Sequence, residues 1–142
     1  MTEPAALQSA RQHLARAEAA YRTRDGLFHL EEGLTELDEV MASGSSAYGT
    51  VAHNVAITYA TRIYGRIKTA VEADRALPEP ELEHLFKVVL AFDQSSVTLP
   101  PDARALKITV VRRLIDLYYE GHPADAKKKA LEQLAAITGE SP

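Results

Sequence analysis

The sequence predicts an all-α protein of six helices, and three observations carry that prediction. Apolar residues recur at spacings of three and four along almost the whole chain, and no stretch of four or more residues alternates apolar with polar between turn signals. Clusters of proline, glycine and serine then cut the pattern into pieces of helix length. The 142 residues are read as a single domain, 1–142, large enough to bury about two-thirds of its unfolded surface without staples. Short connections should pair sequence neighbours antiparallel, giving three helical hairpins stacked or bundled around a long central third helix.

Each element has its own signal. The first helix is expected over 4–23, with Pro4 tolerated in a first turn and Leu7, Ala10, Leu14, Ala17 and Tyr21 on one stripe. Two of those five are alanine, so a neighbour can approach closely there. Asp25-Gly26 is the expected turn, after which Leu27, Leu30, Leu34, Leu37 and Met41 mark a second helix that ends at Ser43-Gly44-Ser45-Ser46. A third helix is expected over 47–77, stopped by Pro78-Glu79-Pro80. Its apolar residues fall on two adjoining faces, Tyr48, Ala52, Val55, Tyr59, Ile63 and Ala70 on one and Ile57, Ala60, Tyr64, Ile67 and Val71 on the other. Neighbours on two sides follow from that. The fourth helix opens with Glu79, Glu81 and Glu83 at its positive dipole end and sends Leu82, Leu85, Phe86, Val89 and Phe92 inward. The fifth follows Pro100-Pro101 with Leu106, Val110, Leu114 and Leu117 beside Val111, Ile115 and Tyr118. Gly121 stops it, and Pro123 is expected at the first position of a sixth helix that buries Leu131, Leu134 and Ile137.

Composition removes much chemistry. With no cysteine in the chain, disulfides, thiolate nucleophiles, thiolate zinc sites and iron–sulfur clusters are excluded. No phosphate-cradling glycine loop and no Gly-x-Ser-x-Gly elbow occurs, and the serines sit in two loop clusters. No cofactor and no catalytic residue is therefore expected, and the chain is read as a non-enzyme. Nothing approaches the roughly 18 consecutive apolar residues of a membrane span, and the opening Met1-Thr-Glu-Pro lacks the basic start of a secretory signal. A cytoplasmic protein without membrane partners is the expectation.

Leu14, Ala17 and Tyr21, the Asp25-Gly26 turn, and Leu27, Leu30, Leu34 and Leu37 together resemble one tetratricopeptide repeat over 14–42, with Glu18 standing where that family places a small residue. The resemblance implies a scaffold of tetratricopeptide-like hairpins whose usual work is to bind a peptide or protein.

The candidate binding residues lie on the third helix. Thr50, Asn54, Thr58, Thr61, Gly65 and Thr69 run along one face, with Arg62, Arg66 and Lys68 at its borders. A solvated face would normally use Glu, Lys, Gln or Arg, because threonine costs several tenths of a kcal/mol relative to alanine in a helix. Two explanations are open: a contact face for a partner segment, or a face covered by another helix of the chain. On the first, Asn54, Thr58 and Thr61 offer hydrogen bonds to a docked protein or peptide, or to a second copy, while Arg62 and Arg66 meet its carboxylates.

Other constellations are weaker. Of the five histidines, His29 has Glu32 and His84 has Glu81 one turn away, spacings of exposed helical ion pairs; no inward set of metal ligands emerges. Charge runs from acidic to mildly basic along the chain: residues 1–46 carry 4 basic and 8 acidic groups, and residues 101–142 carry 7 and 6. Arg104, Arg112, Arg113 and Lys127–Lys129 are the candidate basic patch. Against a formal net charge of −4, nucleic-acid binding is the less expected alternative, beside a helical-bundle enzyme or a metal or small-molecule binder.

Overall fold

Thr23 decides where the second helix begins. Its extended backbone (φ −118°, ψ 158°) and its hydroxyl oxygen, which accepts from the Gly26 N–H at 3.0 Å, make it the N-cap, so α2 spans Arg24–Ala42. The turn expected at Asp25-Gly26 therefore falls earlier, at 20–23, and the first helix, α1, is Ala5–Ala19. Gly26 lies inside the first turn of α2, where a Cβ would come within 2.0 Å of the Ala20 carbonyl oxygen. The glycine is there for close approach.

The computed structural model describes residues 3–44, 46–73 and 76–138, with the side chains of 46 and 134–138 outside the description. Its remaining helices are α3 (Ser46–Ala73), α4 (Glu79–Ala91), α5 (Pro101–Tyr118) and α6 (Ala124–Thr138), with a single 3-10 turn, Phe92–Gln94, continuing α4. No strand occurs among the described residues. The protein is all-α, as its periodicity requires. The α3 helix ends before the expected 77, and α6 starts one residue after Pro123, whose carbonyl accepts from the Ala126 N–H at 3.0 Å. Gly44 and Gly121, with φ of +85° and +83°, take the left-handed conformation that turns the chain after α2 and α5.

Packing follows the predicted stripes. Leu7, Ala10, Leu14, Ala17, Leu30, Leu34 and Leu37 are buried between α1 and its neighbours, and Ala52, Ala56, Ala60, Ile63, Tyr64, Ile67 and Val71 are buried on α3. The predicted Leu131 is half-buried, while Leu134 and Ile137 lie outside the described side chains. At 28 residues, α3 is about 42 Å long. Its main neighbours are α2, α5 and α1, whereas α4 packs on α5 and α2. The predicted pairing of the third helix with the fourth is thus replaced: α3's apolar surface is already covered by three other helices. The α1–α2 pair is antiparallel, its contacts running from Ala20 against Gly26 to Leu14 against Gly33. The link between α4 and α5 is pinned from outside. Asp38 accepts from the Ser96 N–H at 3.0 Å and from its hydroxyl at 2.9 Å, and His53 Nε2 accepts from the Thr98 N–H at 3.1 Å.

Candidate functional site

The outward face of α3 is open to water: Asn54, Thr58, Thr61, Arg62 and Arg66 are all exposed. Part of the reason for threonine here is local. Thr58 donates its hydroxyl to the Asn54 carbonyl at 2.9 Å and Thr69 to that of Gly65 at 3.0 Å, the back-bonding that lets a hydroxyl sit in a helix. Asn54 and Thr61 make no such side-chain bond.

The two arginines have a partner that sequence reasoning missed. Glu18 of α1 is 5% exposed, and its carboxylate receives Arg62 Nε at 2.7 Å and Arg66 Nε at 2.8 Å. Arg62 adds a second bond at 3.1 Å and stands 5.5 Å from the centre of the Tyr59 ring. The expected role of Arg62 and Arg66 toward a partner's carboxylates is therefore filled first by this chain's own Glu18. A buried carboxylate needs such partners, because an unpaired charge inside is far too costly. One carboxylate between two guanidiniums leaves one positive charge in surplus. These groups line an open groove of about 680 Å³ with Tyr21, Arg22, Gly65 and Thr69. Arg22 itself is bonded to Glu81 of α4 at 2.7 Å, which raises its already high pKa further.

His84 departs from its expected one-turn ion pair, and His29 has Asp25 rather than Glu32 one turn away. His84 Nε2 meets the Tyr21 carbonyl at 2.9 Å, while Glu81 is taken by Arg22. His13 and His29 face each other across the α1–α2 seam, Nδ1 to Nδ1 at 2.8 Å, so one ring donates the proton that the other accepts. Glu36 lies 3.2 Å from the far nitrogen of His13, and Asp25 3.5 Å from that of His29. Among the described residues, no three His, Asp or Glu side chains converge on a point that could hold a metal ion. Of the loop serines, Ser43 and Ser95 donate to the carbonyls of Val40 and Phe92, and Ser96 to Asp38, while Ser45 and the side chain of Ser46 lie outside the described residues.

A second concavity, absent from the sequence reading, opens between α4, α5 and α6 with a volume of about 450 Å³. At one end Lys107, 8% exposed, is bonded to Asp93. Behind them Tyr64 is fully buried, 5.4 Å from Phe92, and its hydroxyl has no partner among the described residues; burial, and secondarily the charge of Asp93, pushes its pKa up. At the other end the Tyr118 hydroxyl donates to Glu83 at 3.2 Å. Hydrogen bonding to Glu79 and then to Glu83 pushes this phenol up to about 12.

The chain matches no family model, no curated protein and no solved structure with which it was compared. No helix among the described residues is long and apolar enough to cross a membrane.

Proposed function

We propose that this all-α chain is a cytoplasmic interaction module that binds a protein or peptide partner, or a second copy of itself, along the outward face of α3. The observation that carries the reading is the exposed row Asn54, Thr58 and Thr61, in which, among the described residues, the Asn54 amide and the Thr61 hydroxyl take no partner while Thr58 bonds back to the Asn54 carbonyl. Short uncharged hydrogen-bonding groups let another backbone come near without dehydrating a charge, and Gly65 beside them has nothing within 4 Å of where a Cβ would stand. The resemblance of 14–42 to a tetratricopeptide hairpin supports the same class. Arg62 and Arg66 then act as a pair: anchored by Glu18, they present their surplus positive charge to an acidic group on the partner.

The test is Thr58→Glu with Thr61→Glu in one chain, read by co-purification of partners and by sedimentation of the purified protein. Both positions are exposed, so the folding stability should change by less than about 0.5 kcal/mol per site. Partner binding or self-association should fall. Undiminished association in the double variant would remove the face from consideration, and so would a collapse of thermal stability.

A further inference from the structure

The α3 face leaves the cleft between α4, α5 and α6 without a role, and the cleft has a chemistry of its own. Its volume of about 450 Å³ is ordinary for a small-molecule site, where pockets run from roughly 300 to 1,000 Å³. Phe86, Leu90, Val111, Ile115, Tyr119 and Ala130 make up half of its twelve lining residues. Rings at several angles are on offer: Phe86 meets Tyr118 edge-on at 6.1 Å, and Tyr118 meets Tyr119 edge-on at 5.0 Å. Leu90, on this wall, is 41% exposed and is one of two large apolar side chains that the described residues leave open to water; the other is Phe28 on α2.

Charge selects the occupant. Glu83, Lys87, Asp93 and Lys107 line the cleft and their charges cancel. The buried Lys107 is committed to Asp93, and Glu83 is held by the Tyr118 hydroxyl. An ion entering would lose its water and find its buried counter-charge already paired, and separating that pair would leave a second charge stranded. Lys87 is exposed and keeps its own hydration at the rim. We infer that the cleft between α4, α5 and α6 is a binding site for an uncharged, predominantly apolar small molecule, seated between Phe86, Val111 and Ile115 with Tyr119 and Ala130 closing the α6 side. It is independent of the α3 face and would stand if that face bound nothing.

Nile red, an uncharged apolar dye whose emission shifts to the blue on leaving water, is the probe, titrated into the full chain. Saturable binding of one dye per chain is expected. Ala130→Trp, which fills the cleft, and Leu90→Lys, which adds a charge to its wall, should each weaken the dye by about tenfold or more. Circular dichroism melts should stay unchanged; since Leu90 is partly exposed, its variant carries the test even where the Trp variant fails to fold. Phe28→Ser, which removes the other exposed apolar side chain, should leave the affinity within about twofold. The anionic dye anilinonaphthalene sulfonate should bind about tenfold more weakly than Nile red. Non-saturable binding, loss of the dye in Phe28→Ser, unchanged affinity in Leu90→Lys, or tighter binding of the anionic dye would each overturn the proposal.

Discussion

The α1–α2 seam and the α5–α6 junction solve the same problem, one helix laid on another, in opposite ways. The first uses small residues. Ala10 and Ala17 on α1 and Gly26 and Gly33 on α2 are buried, and a Cβ at Gly33 would come within 2.9 Å of the Leu14 side chain. The second uses long or aromatic side chains: Lys127 reaches Asp116 at 2.7 Å, and His122 stacks on Tyr118 with ring centres 6.1 Å apart. Small residues bring backbones together and leave no space. At the second junction the contacts run through side-chain ends, and a cleft opens beside it between α4, α5 and α6. Where a chain is built from similar apolar fractions throughout, side-chain size decides which end becomes solid and which becomes concave.

The sharpest way to break this comparison is to add carbon at both ends. Gly26→Ala places a methyl group against the Ala20 carbonyl, which is backbone and cannot swing aside. A loss of roughly 3 kcal/mol is expected, about 10 °C in melting temperature for a chain of this size. Ala130→Leu adds more carbon at the cleft wall and should cost less than about 0.5 kcal/mol, since open space receives it. Equal losses by thermal denaturation would mean that the two junctions do not differ.

The next effect concerns the buried charge that ties α1 to α3. Glu18→Gln keeps the shape and removes the charge, while the heads of Arg62 and Arg66, each more than half exposed, return to water. Solvent screening reduces the change to about 1 kcal/mol, measurable by urea titration. A smaller effect of opposite sign is expected on the open face. Gly65→Ala meets no neighbour, so the better helix former should stabilise by about 0.5–1 kcal/mol. The same variant should weaken partner binding if the glycine is there to admit another chain.

The smallest effect belongs to the open end. Tyr118 is held protonated up to about 12 by Glu79 and Glu83, against about 10 for an unfolded phenol. A proton held more tightly in the folded chain contributes stability that is complete below about pH 10 and lost as pH climbs through about 12. Melting temperatures across that window should fall less steeply in Tyr118→Phe than in the parent chain.

Much of the fold was legible because helix punctuation is local. Gly121, Pro100-Pro101 and the acidic start of α4 act on their own neighbours, and the stripes from Leu7 to Ala17 and from Leu30 to Leu37 name the buried faces without knowing what covers them. The turn between the first two helices falls elsewhere than expected because two local signals compete there: Asp25-Gly26 is a common turn pair, but the hydroxyl of Thr23 captures the Gly26 N–H and starts the helix early. Glu18 shows what hydropathy conceals. It lies four residues after Leu14 and three before Tyr21, squarely on the buried stripe, and that spacing was the available signal. Its arginines are 44 and 48 residues away, a pairing that no local rule supplies. The outward exposure of Asn54, Thr58 and Thr61 was one of two readings of a threonine-rich face, and helix packing alone decides between them. The cleft left no trace in the sequence, because it is a property of how far apart three helices stand.

Among the described residues, the substantial packing of α6 is with α5 alone. A helix docked on one neighbour can detach without disturbing the rest, so its amides should exchange with solvent sooner than those of α3, which three helices enclose. Because α6 also carries Ala130 and Gln133 on the wall of the cleft, a molecule lodged there would clamp the least anchored element to α4 and α5, and slowed exchange along α6 would be the record of its presence.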